Sequence, residues 1–518
     1  MNARIKILAL LLATTAKMAA QERIYRIETN QPQQTIEHFG ASDAWSMNYL
    51  GRWPKAEQEK IADWLFSLKT DKNGKPKGIG LSLWRFNLGA GSAEQGANAK
   101  INANTRTECV MNPDGTYDWN KQLPERGFLK MAKARGVPYF HAFLNSAPVF
   151  MTQNGLGTNT GRGGTINLKP DKFDDFARYM ATALKGIEQR DGIHFNYISP
   201  VNEPDGSWNW QGPKQEGSPA TNREIAKLAK LLAKQLKQNG QSTKVVVSES
   251  SDLRCLLENH QTDWQRGCAL NTFFSPDSTE TYLGHTPQVA QLIAAHSYWT
   301  NTPVEAMKGY RIRVRERCKQ LGVDFWQTEI CIMSNDKEIG GGTPYDYSML
   351  TALYVARVIH HDLVYGNAKS WSWWRAVGGN YRDGLIRTFD NPGRKSGFAV
   401  DSKLLWSLGN YSRFVRPGAI RYNMTAQDGK GNSLEEGTND VKGVMASAYR
   451  NKDGHWVIVA LNYSEHVKPF TIQLSNGSNY TWQQYRTSNI STESLAPIGY
   501  TKGRTELAPR SITTFVSQ

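Results

Sequence analysis

Phe195-Asn196-Tyr197-Ile198-Ser199-Pro200-Val201-Asn202-Glu203-Pro204 is an aromatic and β-branched run that leads directly into Asn-Glu-Pro. It reads as a buried strand whose last residues place a carboxylate at its C-terminal end, with Pro204 stopping the strand. A purely structural strand ending in an acidic turn has the same texture. The two readings are separated by a second stretch of the same form, Phe325-Trp326-Gln327-Thr328-Glu329-Ile330, far downstream. Two carboxylates on two strand ends point to paired acid chemistry. If both strands belong to one parallel barrel, those ends share the face where catalytic groups collect.

The alternation of strand and helix extends outward in both directions. Residues 36–45 form a strand that runs into a small, polar loop carrying Asp43 and Trp45. Residues 80–87, with Arg85, form a second strand, and residues 137–146, running into Asn145, form a third. Helical spacing of apolar residues, such as Ile61, Trp64 and Leu65, predicts helices over 55–69 and 128–135. Further helices are expected over 171–189, with an Asp near its N-cap, and over 222–238, ended by Asn239-Gly240. Beyond Glu203, residues 244–249 form the fifth strand and, after a long loop, 291–299 the sixth. The Glu329 stretch is the seventh and 369–375 the eighth, with helices over 308–320 and 348–365. Eight such units predict an α/β fold, a (β/α)8 TIM barrel spanning 36–412.

From about Arg413 the helical periodicity stops, and short strands separated by turn signals such as Asn451-Lys452-Asp453-Gly454 take over. Residues 413–518 are therefore expected to form a β-sandwich, which the lead segment 21–35, β-like over 23–27, is expected to join. At the start, Arg4 and Lys6 precede an apolar run from Ile7 to Ala13 and small residues up to Ala19-Ala20. Residues 1–20 read as a secretory signal peptide cut near Gln21, so a secreted or periplasmic protein is expected. The segment is too short to span a bilayer, and no later stretch is long and apolar enough to do so.

The formal charge of +15 would concentrate polyanions near the surface. Lys and Arg are scattered, however, and no nucleic-acid-binding module is recognisable, so nucleic acid is disfavoured as a partner. A polysaccharide or oligosaccharide, in particular one bearing uronic acids, suits the charge better. The chain's 16 Trp either fill core or stack on sugars, because an indole face packs well on the apolar C–H face of a pyranose. Five cysteines form no C-x-x-C pair, which leaves a structural zinc site unsupported; Cys255 and Cys268 are the candidate pair across a loop. There is no G-x-S-x-G elbow and no phosphate-binding loop, and no metal or cofactor is expected. A monomer is expected.

Cleaving a glycosidic bond with retention takes a proton donor and a carboxylate nucleophile about 5–5.5 Å apart. Glu203 and Glu329, on the fourth and seventh strands, face each other across the mouth of the expected barrel. Asn202 is positioned to hydrogen-bond a sugar 2-hydroxyl. Arg85, by Coulombic attraction, and Tyr298, by a hydrogen bond, are expected to keep the nucleophile ionised. Trp45, Asn145, Trp373, Trp374 and the strand-end His296 complete the candidate substrate-binding set, with barrel filling the competing reading for Trp373 and Trp374. His360-His361 sits in an apolar helical segment and reads as packing and surface. Asp43, Asp205, Glu249 and Asp252 are also acids near strand ends, so composition does not force the choice of pair.

At these residues the chain resembles family 30 glycoside hydrolases of the clan A barrels, and most closely their endo-β-1,6-galactanase-like branch. The carrying stretches are His38-Phe39-Gly40-Ala41-Ser42-Asp43, Trp84-Arg85-Phe86-Asn87, Asn145-Ser146-Ala147-Pro148-Val149-Phe150-Met151, Asn202-Glu203-Pro204, Thr328-Glu329 and Tyr411-Ser412-Arg413-Phe414-Val415-Arg416-Pro417-Gly418. Asn-Glu-Pro is common to many barrels, whereas the ordered set is specific and spans nearly the whole mature chain. The resemblance implies a retaining mechanism, with Glu203 as acid/base and Glu329 as nucleophile, and a side β-sandwich fused to the barrel through both chain ends. It implies action on β-linked galactan, with xylan or glucuronoxylan as the alternative within the family. A non-catalytic glycan-binding barrel is the alternative outside it. Phe150 stands where many members carry Trp.

Overall fold

The computed structural model describes residues 22–209, 212–260, 263–332, 337–340, 345–378, 384–391 and 393–518. The expected signal peptide, 1–20, lies outside the described residues.

The lead strand β1 (Arg23–Thr35) is followed by the eight barrel strands. These are β2 (His38–Ser42), β3 (Leu83–Asn87), β4 (Tyr139–Phe143), β5 (Tyr197–Ser199), β6 (Lys244–Ser250), β7 (Val289–His296), β8 (Asp324–Glu329) and β9 (Ser370–Gly378). Each pairs in parallel with the next, and β9 pairs with β2, Ser370 opposite His38, so the sheet closes on itself. Crossovers of this kind need a covering helix. α1 (Lys55–Phe66), α2 (Leu123–Ala134), α3 (Phe173–Asp191), α4 (Asn222–Gln238), α5 (Val304–Leu321) and α6 (Met349–Val364) supply most of them.

α4 has the bounds its periodicity predicts. Thr221 accepts from the Glu224 N–H, and the Glu224 carboxylate accepts from the Thr221 N–H, a reciprocal cap that satisfies two of the helix's orphan donors. α2 begins five residues before the predicted start, because Pro124 fits the first turn of a helix. At α3 the N-cap is Lys172 rather than an Asp; Asp174 and Asp175 lie in the first turn, where carboxylates favour the helix dipole. The long loop before β7 contains a six-residue helix, Ala269–Phe274.

After β9 the chain adds a hairpin, β10 (Gly384–Asp390) and β11 (Gly397–Val400), to the barrel sheet, then α7 (Lys403–Ser412). The remaining strands form a nine-stranded sheet in which β1 lies between Ile420–Asp428 and Lys468–Leu474. Tyr25 of β1 stacks on Phe470 at 4.4 Å, and Phe470 stacks on Phe515 at 5.4 Å, in the core of this second layer. α7 is the seam: Asn410 donates to Thr514, and Lys403 reaches the carbonyls of Ile490 and Glu493. His360 and His361 are both fully buried rather than at the surface, and His361 meets Asn439 of the side domain. Cys255 and Cys268 are not joined by a disulfide.

Candidate active site

β5 ends at Ser199, so the opening stretch is a three-residue strand and not one that runs on to Pro204. Glu203 lies four residues beyond it with φ of 46°, a left-handed backbone that a Glu holds only when its surroundings impose it. Three bonds do so. The Glu203 N–H donates to the Glu249 carbonyl at 2.9 Å, and the Glu203 carbonyl accepts from the Trp208 indole at 2.9 Å and from the Gly206 N–H at 3.0 Å.

Strand register places the other acids. In β8 the pairing with β7 slips between Gln327 and Glu329, and in β6 it slips between Ser248 and Ser250. A slip of this kind breaks the in–out alternation and re-aims a side chain. Thr328 and Glu329 therefore both reach the barrel interior, and so does Glu249. Alternation alone would set Glu249 with Val245 and Val247, which pack in the large core cluster.

The result is a compact set of charges. Oxygens of Glu203 and Glu329 and a ring nitrogen of His296 lie within 4.8 Å of one another. His296 Nδ1 is 2.9 Å from Glu203 Oε1 and 3.6 Å from Glu329 Oε1, and its Nε2 is 3.2 Å from Glu249 Oε2. Arg85 Nη1 donates to Glu329 Oε2 at 3.1 Å and to the Thr328 carbonyl at 3.0 Å, while its Nη2 is 3.5 Å from Glu249 Oε2. Tyr298 donates to Glu329 Oε1 at 3.0 Å. Beneath them Ser199 donates to Glu249 at 2.6 Å, and its oxygen is 2.8 Å from His141 Nε2. The Ser199 proton is already committed, so His141 Nε2 is the donor in that pair.

Burial disfavours an imidazolium at His296, but Glu329, Glu203 and Glu249 outweigh it and push its pKa up to about 10. Burial also disfavours charge on Glu249, yet Arg85 and His296 hold that carboxyl well below the usual range. At Glu329 burial dominates and raises the pKa, and Glu203 adds to the rise; His296 and Arg85 act against it. Among the described residues, Glu203, His296 and Glu329 are the set that converges as metal ligands would. As an imidazolium, His296 donates from both ring nitrogens to carboxylates, an ion-paired arrangement in which the three glutamates and His296 already satisfy one another.

Of the candidate substrate-binding residues, the structure brings Arg85, His296 and Tyr298 to the two glutamates, and Asn202 is buried beside Glu203 in the chain. Asn202 Oδ1, both amide atoms of Asn145 and the Trp45 indole N–H are buried with no hydrogen-bond partner among the described residues. Buried polar atoms of this kind are normally satisfied, and hydroxyls of a bound sugar would satisfy them. Trp374 packs edge-on to Trp45 at 5.4 Å and to Phe143 at 6.0 Å, and Arg85 lies over Phe143 at 4.4 Å, which links the mouth wall to the charges. Trp373 is elsewhere. It stacks on Trp371, whose indole donates to Asp362 of α6, so it belongs to the strand–helix layer. Asp43, Asp205 and Asp252 are occupied by backbone N–H groups of Asn87, Ser251 and Arg254.

This site, at the C-terminal ends of an eight-stranded parallel barrel, is that of a glycosidase. Residues 22–387 match the O-glycosyl hydrolase family 30 profile, and residues 433–515 match that family's β-sandwich domain. The chain belongs to glycoside hydrolase family 30. An endo-β-1,6-galactanase of Hypocrea rufa is 23% identical over 388 residues, covering 72% of this chain and 71% of that protein. The glucuronoxylanase XynC of Bacillus subtilis is 27% identical over 374 residues, covering 69% of each. Among solved structures, a conserved exported protein from Bacteroides fragilis superposes with a TM-score of 0.86 at 33% identity, over 95% of this chain and 100% of that one. The GH30 xylanase C catalytic domain from Talaromyces cellulolyticus shares the fold, with a TM-score of 0.66 at 22% identity over 96% of this chain and 100% of its own.

Proposed function

We propose that this glycoside hydrolase is secreted and cleaves β-linked galactan, in particular β-1,6-linked side chains of arabinogalactan, by double displacement. The observation that supports the mechanism is that one carboxylate oxygen of Glu203 and one of Glu329 come within 4.8 Å of each other, with His296 Nδ1 in reach of both, which favours the closer of the two separations that glycosidases use. Retaining glycosidases hold their carboxyl groups about 5–5.5 Å apart, whereas inverting ones need about 6.5–9.5 Å to admit a water. Glu329, held by Arg85 and Tyr298, attacks the anomeric carbon as Glu203 gives its proton to the departing oxygen. Glu203 then takes a proton from water, whose oxygen displaces Glu329 and releases the sugar. Glu203 is the natural proton carrier because its side chain is 19% exposed and Glu329 only 4%.

The galactan assignment is supported by the Hypocrea rufa relative. Secretion is supported by the apolar run behind Arg4 and Lys6 and by the exported Bacteroides fragilis relative. A digestion of β-1,6-galactan and glucuronoxylan side by side, with product analysis, tests the substrate. Oligosaccharides from the galactan are expected; release from glucuronoxylan alone would replace galactan with xylan in this reading.

A further inference from the structure

The two-glutamate mechanism gives no role to Glu249, yet this fully buried carboxylate touches the mechanism at two points. Its carbonyl holds the Glu203 N–H at 2.9 Å, and both residues keep left-handed backbones, φ 46° at Glu203 and 56° at Glu249. By a second route, its carboxylate holds one ring nitrogen of His296 while the other holds the Glu203 carboxylate. Among the described residues, Arg85 from β3, Ser199 from β5, His296 from β7 and Thr328 from β8 present Glu249 with a donor or a cation, and His141 from β4, 3.8 Å away, backs the Ser199 hydroxyl. Five inward-facing elements built around one carboxylate are more than core filling requires.

Charge counting sharpens this. Glu203, Glu249 and Glu329 stand against the cations Arg85 and His296, so the fully ionised cluster carries one excess negative charge. One added proton neutralises it, and proton transfer to the leaving group needs that proton.

We propose that Glu249 is a positioning residue for the glycosidase reaction: it fixes Glu203 through backbone and His296 together, and its charge retains the excess proton in the cluster. The inference rests on the assignment of Glu203 as acid/base. In a coupled cluster the proton affinities belong to the whole set. Removing one negative charge therefore lowers all of them, whichever group carries the proton.

The test is Glu249→Gln in the full chain, which keeps the side chain's shape and removes its charge, assayed on β-1,6-galactan or, should that polymer be inert, on glucuronoxylan. We expect kcat/KM to fall at least tenfold and the basic limb of its pH profile to move to lower pH by about one unit, the size of shift a nearby buried charge produces. Glu249→Asp should return the limb toward its original position. An unchanged rate and profile, or a lower rate with an unmoved limb, would overturn the proposal. Should Glu249→Gln not fold, Thr328→Val removes one donor from the carboxylate and leaves its charge less screened, so the limb should then move to higher pH; an unmoved limb would again overturn the proposal. Glu203→Ala and Glu329→Gly run alongside. Full activity in either would overturn the two-glutamate mechanism itself, whereas their inactivity beside an unaffected Glu249→Gln would overturn only the role of Glu249.

Discussion

Arg85 Nη1 donates to Glu329 Oε2 across 3.1 Å inside the barrel, where the Arg85 side chain is 0% and the Glu329 side chain 4% exposed. A pair so buried is held by mutual charge, and truncating one partner leaves the other uncompensated, at about 3–5 kcal/mol. Arg85→Ala should therefore lower thermal stability. It should also raise the Glu329 pKa, which burial already elevates, and move the acid limb of kcat/KM to higher pH. A pH–rate profile with an unmoved acid limb would separate Arg85 from the ionisation of Glu329.

Tyr298 supports the same carboxylate, its hydroxyl donating to Glu329 Oε1 at 3.0 Å with Cys331 Sγ 3.6 Å away. A hydrogen bond to a charged group contributes roughly 1.5–3 kcal/mol. Tyr298→Phe should lower kcat/KM by about 10- to 100-fold, by the equivalence of 1.4 kcal/mol to a factor of ten, and should lower the melting temperature as well, because a buried carboxylate oxygen loses its donor. An acid limb of the pH–rate profile moved to higher pH distinguishes this from a packing defect, which would leave the limb in place.

Glu203→Ala removes the proton donor, which poor leaving groups need and good ones do not. The variant should retain slow turnover of an aryl glycoside with an acidic leaving group while losing polysaccharide hydrolysis. Equal loss on both would contradict the acid role.

His296 links protonation to stability. Its folded pKa is raised to about 10 from an ordinary value of 6.5. The stability it contributes is complete below pH 6.5 and is lost as pH rises through about 10. Melting temperatures measured from pH 6 to 10.5 should fall with pH in the native protein and fall less steeply in His296→Gln; parallel curves would remove His296 from the alkaline transition.

The side domain contributes to the barrel's integrity. β1, at the start of the described chain, is inserted between two strands of the distal sheet, and α7 bonds to that sheet through Asn410 and Lys403. Truncation after Ser412 would expose both surfaces and leave Lys403 without its carbonyl acceptors. Expression of residues 1–412 should give aggregated or unfolded protein, measured by size-exclusion chromatography and circular dichroism.

The barrel was legible because a fully buried parallel strand must be a continuous apolar run and its covering helix must be amphipathic, and both patterns are local. Glu329 was legible for the same reason, as the carboxylate that ends such a strand, whereas Glu203 follows its strand by four residues and is turned toward Glu329 by the loop. Glu249 was only one acid among several at strand ends. Its inward turn depends on a register slip between β6 and β7, a relation between distant segments with no trace in the run Val245-Val246-Val247-Ser248. Trp373 and Trp374 are adjacent and chemically identical, and strand alternation sets them on opposite faces, Trp373 beneath α6 with Trp371 and Trp374 at the mouth with Trp45; the alternation was legible, but not which of the two faced the mouth. α7 was missed because its ten residues are all buried, which removes the polar face that marks a surface helix.

The most direct measurement is peptide mass mapping after inactivation with an activated 2-deoxy-2-fluoro glycoside of the sugar the enzyme cleaves. The fluorine slows release of the covalent intermediate enough to capture it. The mechanism proposed here predicts one sugar adduct, on the peptide containing Glu329. An adduct on Glu203 or Glu249, or continued turnover with an inverted product and no adduct, would contradict it.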